Sequence, residues 1–285
     1  MTEATVCWRA AWLEGLAVAL HHRMFVLFAL LGVVCERALS FATGSTPEPV
    51  VGLGALADLF AAPQARFPTP SASLGPGAAL LTLGLFLAGL FIIVGVLGLM
   101  RDLLVRRGYR PEDIVARGAR YIWPVLKLKL TVYLAFGAPI ALLILGACAL
   151  GGGPWLWLAI AAGLALFALA RVVLSLGEKI LVVEEPRTLR EVCRRVPGLL
   201  RPHMDMAARF YAVMFVLMSA AVGAELALAT LPLPAVPQII VMATLLAFAT
   251  VAIKAASFVF YLQLAGRVPA AVARACDRKD NPEGV

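Results

Sequence analysis

The chain has 285 residues, 62% of them hydrophobic and 15% charged, with a mean hydropathy of +0.91 and a formal net charge of +8. So few charged groups cannot cover that much apolar surface in water, so composition excludes an ordinary soluble enzyme or nucleic-acid-binding domain and points to the membrane class. The surplus of cations then becomes a question of which side of a membrane they occupy.

The first expected element is an amphipathic helix over about 5–20, with Trp8, Trp12, Leu13, Leu16 and Leu20 on one face and Arg9 and Glu14 elsewhere. Tryptophan favours the membrane–water boundary, so this helix is expected to lie in the interface. A first span follows over about 24–42. Its apolar run is permissive for a cleaved signal peptide, but it starts late, and Glu36-Arg37 stands where a cleavage region is neutral. A retained span is therefore expected. Residues 43–76 form an outer loop with prolines at 47, 49, 63, 68, 70 and 76. Its apolar stretch 50–62 is too short to cross a bilayer, which takes about 20 residues.

The clearest span is 77–100, which carries no charge. After it, Arg110-Pro111-Glu112-Asp113 places a proline and two acids in a first helical turn, where they suit the free amides and the helix dipole. A second interfacial helix is expected over about 111–125, with Ile114, Gly118, Tyr121, Ile122 and Val125 inward and Arg117, Arg120, Lys127 and Lys129 outward or trailing. Spans over 130–150 and 155–177 flank the outer turn GGGP.

Pro186 is expected to stop the fourth span. Thr188 and Glu191 have the spacing of a capping box, and Leu189, Val192, Cys193 and Val196 share one helical face. Arg187, Arg190 and Arg194 gather opposite, and Glu191 is placed to pair with Arg195. This third interfacial helix, about 188–197, is expected to end near Pro197-Gly198. Spans over 210–231 and 238–264 complete the chain. The last two units align at an offset of 75 residues, Pro111 with Pro186, Ile114 with Leu189 and Arg120 with Arg195.

Apart from Arg37 near the outer end of span one, Arg66 in the outer loop, and Arg171 and Lys254 inside spans, every Lys and Arg lies before span one, between spans two and three, between four and five, or after six. Six spans put all four regions on one side, which the positive-inside rule makes the cytoplasm. The expected fold is all-α: a single polytopic membrane domain, 1–285, with six transmembrane helices in three hairpins, each preceded by a cytoplasmic amphipathic interfacial helix. Both termini are expected in the cytoplasm of a bacterial inner membrane.

Charges inside spans are costly and mark candidate sites: Arg171, Glu225, Lys254, and the Glu36–Arg37 pair. Arg171 and Lys254 lie about 24 Å from the outer boundary and Glu225 about 9 Å from it, at 1.5 Å per residue. The first two are close enough to the cytoplasmic edge to snorkel, with Glu178, Glu184, Glu185 and Asp205 as acidic partners; Glu225 is nearer Arg37. Anionic headgroups and protein partners are expected to meet Arg117, Arg120, Arg187, Arg190, Arg194 and Arg195 on the cytoplasmic side.

No phosphate-binding lysine loop, HExxH, GxSxG or CxxC occurs. The five cysteines read as reduced apolar fillers, adjacent His21 and His22 share no ligand face, and His203 with Asp205 is a candidate proton site without a nucleophile beside it. No metal, cofactor or nucleic acid is expected.

The stretch RVVLSLGEKILVVEEPRTLREVCRRVPGLLRP (171–202) resembles a loose group of bacterial six-helix inner-membrane proteins that includes the membrane domain of glycerophosphodiester phosphodiesterases. The matching features are the run from Arg171 to Val182-Val183-Glu184, the basic helix after it, and ARGARYIWPVLKL (116–128), over roughly 100–266. Cys193 departs from the small polar residue usual there. The resemblance implies an inner-membrane protein linked to lipids; the soluble phosphodiesterase domain is absent from this chain, so its activity does not carry over. The sequence thus supports a non-catalytic membrane subunit or scaffold that engages lipids and partner proteins through its cytoplasmic helices. The alternatives are a permease or lipid-transport subunit with a polar site near Arg171, Glu225 and Lys254, and an intramembrane lipid-modifying enzyme.

Overall fold

The long apolar runs become long helices in the computed structural model, which describes residues 7–31, 76–106, 108–151, 153–186, 188–229 and 235–267. In chain order these are α1 (Trp8–His21), α2 (Arg23–Leu31), α3 (Pro76–Arg106), α4 (Ile114–Ala149), α5 (Pro154–Glu184), α6 (Leu189–Leu200), α7 (Met204–Ala229) and α8 (Ala235–Leu264). Short 3₁₀ turns, Pro111–Asp113 and Arg201–His203, lead into α4 and α7, and no strand occurs among the described residues. Five helical segments are long and apolar enough to cross a membrane, and six if α1 and α2, bent by 82° at their junction, count as one broken span. Glu36, Arg37, Arg187, most of the 43–76 loop and much of the first expected span lie outside the described residues.

Three elements differ from the sequence pattern. The interfacial helix expected over 111–125 is not separate from the third span: α4 runs unbroken for 36 residues. Pro124 stands inside the helix at the expected boundary, and the leucines and lysines of VLKLKL (125–130) that follow are good helix formers that carry it on. At about 1.5 Å per residue such a helix is about 54 Å long. That exceeds the roughly 30 Å hydrocarbon core of a bilayer.

In α1 the face buried against protein is a different one from the leucine face expected to lie in the interface. Ala10, Ala11, Gly15, Val18 and Ala19 are buried, whereas Leu13, Leu16 and Leu20 are exposed. Small side chains let two backbones approach, and large apolar ones left outward suit lipid. In α6, Val192 and Val196 are buried but Cys193 is exposed, and the helix continues through Pro197 to Leu200. The carbonyl that Pro197 leaves without a donor belongs to Cys193, on the exposed side where water can satisfy it.

The chain divides into two compact units, Met1–Ala119 with Met204–Val285, and Arg120–His203. In the first, α1 lies against α8. The Cys7 backbone N–H donates to Gln263 Oε1 at 3.1 Å, and Gly15 sits directly on Ala252 and Ala256. Trp12 stacks on Phe210 of α7 with centroids 5.1 Å apart, and Phe210 stacks on Phe260 of α8 at 4.2 Å. This aromatic column joins three helices. Phe25 of α2 stacks on Tyr109 at 5.0 Å, with His22 edge-on to both, and burial pushes the Tyr109 phenol up. On α3, Gly95 and Gly98 admit Ile114 and Arg117, and Gly118 of α4 lies under the Phe91 ring.

In α3, α5, α7 and α8 the fully enclosed side chains lie toward one end of the helix. Leu97 and Met100 of α3, Leu176 and Ile180 of α5, Phe210 of α7 and Phe258 of α8 are fully enclosed. At the opposite ends Leu80 and Leu83, Trp157 and Leu158, Val216, and Ile240 are exposed. Such apolar surface without protein cover is suited to acyl chains.

Candidate functional site

The second unit gathers its charge at the end of α5. The apolar run Ile180-Leu181-Val182-Val183 is buried and then gives way to Glu184 and Glu185. Two carboxylates at a helix C-terminus face the negative end of its dipole, so they need cations. Both receive one. Arg120 of α4 pairs with Glu185, and Tyr121 donates its hydroxyl to the other Glu185 oxygen at 2.6 Å. Arg195 of α6 reaches Glu184 at 3.2 Å. Further up the helix, the buried Glu178 pairs with Lys129 at 3.5 Å, and the buried Lys179 donates to Ser175 Oγ at 3.1 Å.

Glu185 is also the only described non-glycine residue with positive φ, at φ 50° and ψ 51°. Pro186 disfavours helical backbone at the residue before it, so the chain leaves the helix there through a left-handed turn. That conformation costs a residue with a Cβ about 1–2 kcal/mol. The Arg120 and Tyr121 contacts hold it. Glu185→Gly is therefore expected to ease the backbone and release the clamp together. Measured by cleavage at the α5–α6 connection with a protease in detergent, Glu185→Gly should cut faster than wild type; unchanged cleavage would show that the two side-chain contacts do not secure the turn.

The turn delivers the chain to α6, whose first amides are capped by Thr188: its hydroxyl accepts from Glu191 N at 3.3 Å. Thr188→Ala is expected to cost about 1 kcal/mol of local stability. Hydrogen exchange at the first amides of α6 should rise accordingly. Gly177 of α5 closes the packing, because a Cβ there would meet Leu128 Cδ2 at 2.9 Å and Val192 Cγ1 at 3.4 Å. Between the end of α5 and α6 lies an open cleft of about 450 Å³ lined by Ile180, Glu184, Pro186, Glu191, Arg194 and Arg195.

The predicted residues fall in different places. Arg190, Arg194 and Arg195 are on the exposed face of α6. Arg195 turns back to Glu184, whereas Arg190 and Arg194 form no ion pair among the described residues. Arg120 is spent on Glu185. Arg117 turns inward: its Nε lies 2.8 Å from Asp102 Oδ2, an ion-pair contact whose angle is not that of an aligned hydrogen bond. Arg171 is half-buried in α5, and Lys254 is half-buried in α8, where its carbonyl accepts from Ser257 Oγ at 2.9 Å. Glu225 lies on α7, with its side chain outside the description, and Asp205 is exposed in the first turn of the same helix. His21 Nδ1 is 2.8 Å from the Ala17 carbonyl, and His22 Nδ1 is 3.5 Å from the Tyr109 hydroxyl.

Sequence reasoning missed Asp102, Tyr121 and Lys129 as charge partners. Asp102 left a readable signal: it is the one acid in the connection Arg101–Arg110, which otherwise carries four arginines. Tyr121 left none, because an apolar helical face accommodates tyrosine whether or not its hydroxyl is used. Among the described residues no group of three His, Cys, Asp or Glu is placed to hold a metal ion. No protein-family model matches the chain, and no curated protein or solved structure shows significant similarity to it.

Proposed function

We propose that this protein is a non-catalytic integral membrane subunit or scaffold that engages lipids and partner proteins through α6 and the basic start of α4. In this reading it resides in a bacterial inner membrane with six crossings, both termini and the charged helix ends facing the cytoplasm. The observation that carries it is the arrangement of α6. Val192 and Val196 are buried against the unit, and Thr188 fixes the helix start. Arg190 and Arg194 then project from a held helix with no ion pair among the described residues. A pre-positioned cationic face beside apolar helices is what an anionic or phosphate-bearing partner at the membrane surface requires. The resemblance over 171–202 to lipid-linked inner-membrane proteins supports the same reading.

The test is affinity purification in mild detergent, with mass spectrometry of the proteins and lipids retained. The double variant Arg190→Glu/Arg194→Glu is expected to lose protein partners that wild type retains while eluting at the same size. Identical recovery from both would remove α6 as the docking face.

A further inference from the structure

We infer that the cleft between the end of α5 and α6 holds the headgroup of a phospholipid bearing a primary ammonium, phosphoethanolamine: the ammonium on Glu184 and Glu191, the phosphate on Arg194. This rests on the lipid-engaging reading above and names the lipid. Among the described residues the charged lining is two carboxylates and two guanidiniums, Glu184, Glu191, Arg194 and Arg195. A purely anionic headgroup meets two carboxylates there, and a purely cationic ligand meets two guanidiniums. A zwitterion finds a complement for each end. Arg195 is already drawn to Glu184 at 3.2 Å, so Arg194 is the guanidinium presented to a phosphate, which it can bind with two parallel N–H donors.

The same lining separates ethanolamine from choline. A primary ammonium carries three N–H donors for carboxylate oxygens. A quaternary ammonium has none and is recognised by aromatic faces. Among the described residues the cleft has no aromatic lining; its other described walls are Ile180 and Pro186. Its depth fits a headgroup as well, because the buried apolar run of α5 stops at Val183, immediately before Glu184. Leu169, 49% exposed, stands eleven residues before Ile180 and so on nearly the same helical face, where an acyl chain descending from the cleft would run.

The experiment is native mass spectrometry of the full-length protein offered equimolar phosphatidylethanolamine, phosphatidylcholine and phosphatidylglycerol with identical acyl chains. Phosphatidylethanolamine should be retained about tenfold over either competitor, the effect of one good charge-assisted contact. Stepwise N-methylation of the lipid should erase that preference without altering the protein. Arg194→Gln, at an exposed position without an ion pair, should erase it from the protein side. Equal retention of phosphatidylcholine, or a preference for phosphatidylglycerol, would overturn the headgroup assignment while leaving a lipid-engaging protein. Soluble O-phosphoethanolamine displacing the lipid at equal concentration would overturn the lipid as its source. Retention of no lipid of any class would overturn both readings.

Discussion

Gly15→Leu is expected to separate α1 from α8 and to destabilise the protein by about 3 kcal/mol or more, the upper end of overpacking costs. A Cβ at residue 15 would lie 2.5 Å from Ala256 N, 2.6 Å from Ala256 Cβ and 2.7 Å from the Ala252 carbonyl oxygen. Two of those three atoms are backbone, so no rotamer change relieves the contact; one helix must move. Moving α1 also breaks the Cys7–Gln263 hydrogen bond and the Trp12–Phe210 stack that tie its N-terminal half. Thermal unfolding in detergent, followed by gel filtration, measures the effect. Leu16→Ala, at a position 43% exposed, is the control and should behave as wild type. A Gly15→Leu protein as stable as wild type would mean that α1 does not pack on α8 in this way.

Arg117→Met is expected to cost about 3 kcal/mol, the low end for removing one partner of a buried ion pair. Asp102 is 3% exposed, and Arg117 Nε is its partner at 2.8 Å. The low end applies because Asp102 keeps a further interaction when Arg117 is gone. The larger part of the cost is the carboxylate left behind, not the attraction lost. Asp102→Asn in the Arg117→Met background should therefore recover most of the stability. A double-mutant cycle read by unfolding should give a coupling of about 2 kcal/mol. Additive single effects would show that the two groups are neighbours without being partners.

The long spans were legible because apolar length is a property of sequence alone, and the five long apolar segments fall on long helices. The Thr188 cap was legible for a similar reason: the hydroxyl and the amide it serves are three residues apart. What failed depended on which face a partner covers. In α1 the leucines expected at the interface are exposed, while the contact with Ala252 and Ala256 falls on Gly15 and the alanines, whose small side chains carry no apolar pattern. The second interfacial helix and the third span were expected as separate elements, yet α4 passes through Pro124 and the VLKLKL stretch after it without a break. At the candidate site the acids that the cations meet were not legible. Arg195 was matched to Glu191 by helical spacing, whereas Arg195 reaches Glu184 across the turn, a pairing that depends on the left-handed step at Glu185. Long-range ion pairs of this kind, Arg120 with Glu185 and Lys129 with Glu178, leave no periodic trace in a single chain.

The sidedness of the charged helix ends is the premise on which the proposed role of α6 depends, and two thiols test it. In a background without other cysteines, one variant keeps only Cys193, exposed on α6, and another carries only Leu150→Cys, at a position 68% exposed beyond the end of α4. Both are expressed in intact cells and treated with a membrane-impermeant maleimide. The thiol at 150 should be labelled from outside, and Cys193 should react only after the membrane is opened. Labelling of Cys193 in sealed cells, or of neither or both positions from the same side, would contradict it.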